Sequence, residues 1–372
     1  MANRKLASAA TKLPKGLDNG LRNYWYPILE SKKLSSDKPM GIRRLGEDLV
    51  LWRDKSGKPS LFVDICAHRA APLSLGLIDV KGRLECWYHG LAYDGEGQCR
   101  NVPFERKEDG PLAKHYQVKS YPCEESHGFI WGYIGDVEMF PPPPLTMEPE
   151  VAGPDYQAMP YCEPVWDAAW PLELDNVTDP AHAAFLHRTT AAAFVPPEDL
   201  FEYFVPEEVT IEIIEGDLRV GGSRGKGLQQ VSHRKVGGND VEFYYLPALV
   251  KVIVPLPVGG EPMLVLGYIT PIDESHMLLF EHLCRKVHNE KERQEWKEIW
   301  PRVSPLNAAV NAQDRQMVEA QKNVVHARSG ERLIPTDAGV VAARQLTLEA
   351  FQAQRDIIAK SNNKGKAKAG SR

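Results

Sequence analysis

Four side chains between Cys66 and His89 have the types and spacing to hold a metal centre. The stretch gives C-x-H at Cys66-Ala67-His68, then seventeen residues, then C-x-x-H at Cys86-Trp87-Tyr88-His89. Zinc accepts two cysteines and two histidines, but zinc fingers pair like with like, as C-x2-4-C and H-x3-5-H. Here each loop offers one cysteine and one histidine. That pattern suits a [2Fe–2S] cluster in which two thiolates hold one iron and two imidazoles hold the other. Leu61, Val63 and Ile65 alternate before the first pair, and Arg83-Leu84-Glu85 leads into the second, so each pair is expected in a tight loop at a strand end.

A second constellation lies downstream. Asp179 to His187 reads D-P-A-H-A-A-F-L-H, with His182 and His187 five residues apart. On an ideal helix these two histidines point about 140° apart, so they share one metal only if the helix ends or bends between them. The plain alternative is one surface and one core histidine. Beside a redox cluster, two histidines and one carboxylate form the facial triad of non-haem Fe(II) oxygenases. The carboxylate has to come from elsewhere, and Asp314 is the candidate. It is flanked on its helix face by Val310, Met317 and Val318, where an acid is costly unless paired or metal-bound. The alternative for Asp314 is a buried ion pair with Arg315 or Arg344. Asp175 and Glu319 are the competing carboxylates.

The surrounding elements fall into two kinds. The chain has 372 residues, 43% hydrophobic and 26% charged, which suits one or two soluble domains. A net charge of −5 gives no reason to expect a nucleic-acid partner. Met1 to Lys15 has no apolar run of secretory type, and no stretch is long and apolar enough for a transmembrane helix. Six scattered cysteines predict no disulfide framework and a cytoplasmic location. Residues 1–18 read as loose. Strands are expected over 48–53, 60–65, 83–88, 117–121 and 128–135, with no helical periodicity among them. Phe140-Pro141-Pro142-Pro143-Pro144 is a stiff linker.

Beyond it, Trp170 to His187 is helical in character. Strands are predicted at Val209–Ile214, Val241–Tyr245, Ala248–Val254, Met263–Ile269 and Met277–Leu283. Helices are predicted at Glu290–Trp300, at Leu306–Lys322, and from a cap at Asp337 through Gln354. The expected domains are 20–140 and 145–355, with a structureless tail over 356–372.

The two motifs together resemble the terminal oxygenase α subunit of the Rieske non-haem iron oxygenases, the ring-hydroxylating family. The cluster loops match its C-x-H-R-G-x-x-L and C-x-x-H-G-x-x-[FY] patterns, with Ala70 in place of the usual glycine. N-x2-D-x2-H-x4-H runs from Asn176 to His187, and an aspartate follows in a C-terminal helix. The resemblance spans about Leu21 to Gln354. It implies that Cys66 and Cys86 bind the inner iron and His68 and His89 the outer iron of the cluster. It implies that His182, His187 and Asp314 bind a mononuclear Fe(II). It also implies that Asp179 bridges a ligand histidine to a cluster histidine of the neighbouring subunit. Asn176 falls at a position near the iron.

The implied fold is α+β: a small antiparallel β Rieske domain, then a helix-grip catalytic domain with helices covering one side of a large antiparallel sheet. Phe243, Tyr244, Tyr245, Leu249, Val252, Leu264, Leu266 and Tyr268 are then core or pocket residues of that sheet. The W-Y-P start and Thr270-Pro271-Ile272-Asp273 are similar to carbazole-type dioxygenases and demethylating monooxygenases. The implied reaction hydroxylates, dihydroxylates or oxidatively dealkylates an aromatic or heterocyclic small molecule. It uses O2 and NAD(P)H electrons delivered by a ferredoxin or flavin reductase, and a homotrimer is expected. The competing reading is an electron-transfer protein whose second domain only binds a partner.

Overall fold

Short alternating apolar runs interrupted by glycine turns form the first half as strands. In the computed structural model, which describes residues 14–191, 196–216, 225–233, 239–254, 262–321 and 331–369, the chain divides into two units. One is Arg22–Leu145 with Thr270–Glu274, and the other takes Met1–Leu21, Thr146–Ile269 and Ser275–Arg372. The fold is α+β. No described helix is long and apolar enough to cross a membrane.

The smaller unit is built of antiparallel strands. Tyr24–Glu30, Phe129–Ile134 and Cys123–Ser126 form one sheet, and Met40–Arg44, Glu47–Arg53, Pro59–Val63 and Ser120–Tyr121 a second. A third is a meander of very short strands, Leu77–Ile78, Leu84–Glu85, Ala92–Tyr93 and Cys99–Asn101. Its helical pieces are single 3-10 turns such as Leu73–Leu75 and Ala113–His115. Val50, Trp52, Phe62, Leu73, Leu84, Leu91 and Tyr93 close into one core, and Cys66 and Cys86 belong to it. Burying side chains of this size at about 25 cal/mol per Å2 of apolar surface anchors the bases of both loops.

The larger unit is organised by a seven-stranded sheet. Five strands from Glu208–Gly216 through Gly225–His233, Asn239–Tyr245 and Leu249–Val254 to Met263–Pro271 lie side by side in chain order; then comes Met277–Lys286, and Tyr156–Cys162 adds at its edge. Gly225–His233 and Tyr156–Cys162 carry weak strand signals. The first is rich in glycine and glutamine, yet it is hydrogen-bonded on both sides. The second contains Pro160, which an edge position tolerates.

Three differences from expectation have local causes. The two helices expected at 290–300 and 306–322 are one helix, Glu290–Ala320, with Pro301 and Pro305 inside it; Lys322 lies outside the described residues. Each proline removes one i→i−4 bond, but packing holds both halves. Trp296 lies in a core with Met263 and Leu283, and Asn307 and Asn311 bind Glu281. Residues 14–18 are not loose, since Leu17 and Leu21 are fully buried and the Trp170 indole donates to the Leu17 carbonyl at 3.0 Å; residues 1–13 lie outside the described ones. The last helix runs from Ala338 to Ala369, past residue 356, because its alanines, lysines and lack of proline favour helix even without a core. Residues 370–372 lie outside the described chain. Asp337 bonds the backbone N–H of Ile334 at 2.6 Å and closes the 3-10 turn Pro335–Asp337 ahead of that helix.

Candidate metal centres

The loop after Pro59–Val63 and the loop between Leu84–Glu85 and Ala92–Tyr93 close in the same way. The N–H of Ala70 donates to the Cys66 carbonyl at 2.9 Å, and the N–H of Gly90 to the Cys86 carbonyl at 2.8 Å. The cysteine N–H groups donate onward to Ala71 and Leu91. Both turns need a left-handed residue at the fourth position after cysteine. Gly90 supplies it at φ 70°, and a Cβ there would lie 2.9 Å from the Pro103 ring. Ala70 supplies it at φ 55°, at a steric cost of about 1–2 kcal/mol. The substitution therefore stresses the turn without changing its closure.

This geometry sorts the four ligand candidates. Cys66 and Cys86 are 2% and 1% exposed. Burial first, then the adjoining Cys66 side chain, holds the Cys86 thiol above its ordinary value. His68 and His89 lie at the surface with ring centroids 4.6 Å apart. Two buried thiols beneath two exposed imidazoles is the donor set a [2Fe–2S] centre of mixed ligation requires, so the residues fit the group. The Tyr93 hydroxyl lies 3.2 Å from the Cys66 sulfur. Burial and that contact keep the phenol protonated far above neutral pH, so it donates to a thiolate. Hydrogen bonds to cluster sulfurs raise the potential. Tyr93→Phe is expected to lower the cluster midpoint potential with ligation intact. Redox titration followed by absorbance checks this, and an unchanged midpoint would remove Tyr93 from the tuning.

In the larger unit the helix beginning at Trp170 stops at Val177, before Asp179-Pro180. Ala183–Leu186 is a single turn, with His182 at its start and His187 at its end, where φ is −94° and ψ is 9°. That exit brings the two rings together, with centroids 5.2 Å apart. Their Nε2 atoms lie 3.6 Å and 3.2 Å from Oδ1 of Asp314. Ligand atoms of His182, His187 and Asp314 all fall within 4.8 Å of one another. Their side chains keep 22%, 12% and 11% exposure. Two imidazoles and one carboxylate meeting at one point fit a mononuclear Fe(II) with open positions. Burial lowers the His187 pKa, but the Asp314 carboxylate outweighs it and holds the ring protonated above its usual range. A metal entering there must displace that proton.

The competing roles for these acids are taken up elsewhere. Arg344 makes a fork to Asp175 at 2.8 and 2.7 Å and also binds Glu331. Arg315 binds Glu319 at 2.8 Å. Asp314 Oδ1 accepts from Asn176 at 3.1 Å. The face that carries Asp314 is not the expected apolar stripe. Met317 is 45% exposed, while Asn307, Asn311 and Val318 are buried. Asn311 donates to Glu163 at 3.2 Å and to Glu281 at 2.8 Å. Burial pushes Glu281 up to about 7, against its two amide hydrogen bonds. Burial, then the charges of Asp314 and Glu281, pushes Glu173 well above the carboxylate range. The sequence signal was available: Asn307, Asn311 and Asp314 are spaced as one helix face.

At Asp179 the main chain and the side chain have separate contacts. His182 Nδ1 is held at 2.5 Å by the backbone carbonyl of Asp179, not by its carboxylate. The carboxylate Oδ1 accepts from the N–H of Ala181 at 2.8 Å. Gln313, which the sequence did not single out, touches the other histidine: its Oε1 lies 3.0 Å from His187 Nδ1.

Comparison with known proteins gives the family. Residues 24–122 match the Rieske [2Fe-2S] domain, and residues 166–353, half of the chain, match the vanillate O-demethylase oxygenase C-terminal domain. The chain belongs to the Rieske oxygenase family. The dicamba O-demethylase oxygenase component of Stenotrophomonas maltophilia is 31% identical to this chain over 250 residues, covering 64% of this chain and 69% of that one. Chlorophyllide a oxygenase of Chlamydomonas reinhardtii is 35% identical over 207 residues, but the match spans only 30% of its length. Among solved structures, the terminal oxygenase of carbazole 1,9a-dioxygenase from Nocardioides aromaticivorans superposes with a TM-score of 0.72 at 21% identity, covering 94% of this chain and 99% of that chain. Dicamba monooxygenase superposes at 0.66 and 23% identity, covering 90% and 98%. At those identities the structural likeness speaks for the fold.

Proposed function

We propose that this chain is the terminal oxygenase component of a multicomponent system. It takes NAD(P)H-derived electrons from a ferredoxin or flavin reductase and uses O2 to hydroxylate, dihydroxylate or oxidatively dealkylate a small aromatic or heterocyclic molecule. The observation that carries this reading is the meeting of His182, His187 and Asp314 within 4.8 Å in a chain that also has the cluster loops. Cys66, Cys86, His68 and His89 would hold the cluster, and His182, His187 and Asp314 the mononuclear iron. When bound, the cluster supplies single electrons at about −150 to +300 mV and the iron supplies O2 activation.

The protein's own part is positional. The Asp179 carbonyl orients His182, Asn176 fixes Asp314, and burial limits water at the ligand atoms. A head-to-tail homotrimer would bring the Asp179 carboxylate near a neighbour's cluster histidine, which is the bridge we assign to it. O-demethylase oxygenase components among the relatives, and the oxygenase–ferredoxin complex of carbazole 1,9a-dioxygenase among similar structures, support the substrate class and the electron donor. The electron-transfer reading leaves the triad without a purpose. We place the protein in the cytoplasm, in keeping with six cysteines none of which is in a disulfide.

The reading is tested by following O2 uptake with a surrogate reductase across a panel of methoxylated, carboxylated and fused-ring aromatics. At least one compound is expected to drive uptake with formation of an oxygenated or dealkylated product. A ferrous chelator should stop it while the cluster spectrum persists. Cluster cycling with no product from any compound would favour the electron-transfer reading.

A further inference from the structure

We propose that Gln313 is a positioning residue that sets the tautomer of His187; the inference rests on the metal-site reading above. An imidazole nitrogen binds a metal through its lone pair, so the ring proton must sit on the other nitrogen. The His187 ring is bracketed by consecutive residues of one helix. Asp314 lies 3.2 Å from Nε2, and Gln313 Oε1 lies 3.0 Å from Nδ1. A carbonyl oxygen only accepts, so this amide orientation places the proton on Nδ1 and leaves Nε2 free for the metal.

The amide is itself held. Its Nε2 donates to the Thr189 hydroxyl at 3.0 Å, and its Oε1 also accepts from the Thr190 hydroxyl at 3.2 Å. Thr189 and Thr190 lie on the turn Arg188–Ala191 that follows the ligand. The other ligand shows the same arrangement with a different donor of the carbonyl. His182 Nδ1 is 2.5 Å from the backbone oxygen of Asp179. Both histidines therefore place Nδ1 against a carbonyl oxygen, one from the main chain and one from a side chain. Only the second can be removed by substitution. In the neutral ring without Gln313, a proton on Nε2 gains the Asp314 carboxylate as acceptor, and that tautomer competes with metal.

The test measures Fe(II) affinity of the mononuclear site by competition with a ferrous chelator, using full-length protein with its cluster in place. Gln313→Leu is expected to weaken Fe(II) binding about 10–100-fold, the usual cost of losing an outer-shell partner of a ligand histidine. The cluster absorbance should not change. Gln313→Glu keeps the acceptor and is expected to bind Fe(II) as tightly as the wild type or more tightly. A role confined to packing would not be rescued in this way. Wild-type affinity in Gln313→Leu, or equal weakening in Gln313→Glu, overturns the proposal while leaving the metal site standing. His187→Ala serves as the reference: if it binds Fe(II) as the wild type does, the metal-site reading fails, and the inference fails with it.

Discussion

Asp314→Ala is expected to abolish oxygenation and leave the Rieske cluster spectrum unchanged. Among the described residues, Asp314 is the carboxylate within reach of both histidines, at 3.6 and 3.2 Å, and it supplies the only anionic donor of the three. Its loss removes a ligand directly. The fall in Fe(II) affinity should therefore exceed the roughly 10–100-fold typical of outer-shell losses. Iron content should drop from about three atoms per chain to about two, the pair that belongs to the cluster. The substitution also strips Asn176 of its acceptor. It removes one of the charges that push up Glu173 and Glu281 as well, so the fold should tolerate it. Full iron content with full turnover would return the choice to Asp175 or Glu319. Both are already engaged, by Arg344 and Arg315 respectively.

Asp179→Asn should have nearly as large an effect on turnover by a different route. The contact that orients His182 comes from the main chain, and the cap on the Ala181 N–H needs only one side-chain oxygen. Asparagine keeps both. The substitution therefore isolates the carboxylate charge and its second oxygen. Both metals should stay bound and the cluster should stay reducible, while electrons pass to the mononuclear iron orders of magnitude more slowly. A single-turnover experiment reads this: the cluster is reduced, substrate and O2 are added, and reoxidation is followed by absorbance. Reoxidation at the wild-type rate would end the bridging role. Loss of the mononuclear iron would make Asp179 a structural residue.

What was legible in the sequence was local. Cys66, His68, Cys86 and His89 fall within one short stretch, and the turn geometry that aims them is carried by residues inside it. The break between Val177 and Ala183 departs from the helical reading of Trp170 to His187, and the two histidines meet because the short turn Ala183–Leu186 ends at His187. Asp314 was reached across the chain, but through an apolar stripe of which Val318 is buried and Met317 is exposed. The residues around it include amides and acids whose partners lie on a distant strand, as with Asn311 and Glu281. Gln313 was invisible for the same reason, since its partners His187 and Thr189 lie more than a hundred residues earlier. Pro301 and Pro305 read as breakers because local propensity is weighed without tertiary contacts. Trp296 on one side and Asn307 on the other hold the helix through them.

The burial of Cys66 and Cys86 in the core of the small unit also has a consequence for assembly. A centre bound by both thiolates is a covalent staple across about twenty residues of chain. By the chain-entropy arithmetic used for disulfides, closing a loop of that size removes about 3 kcal/mol of freedom from the unfolded ensemble. Without the centre, the same two side chains are small weak donors packed beneath a surface turn strained at Ala70. Cluster insertion would thus stabilise the fold of this unit as well as supply its chemistry. Chains synthesised without iron and sulfide should be the population that proteases remove first.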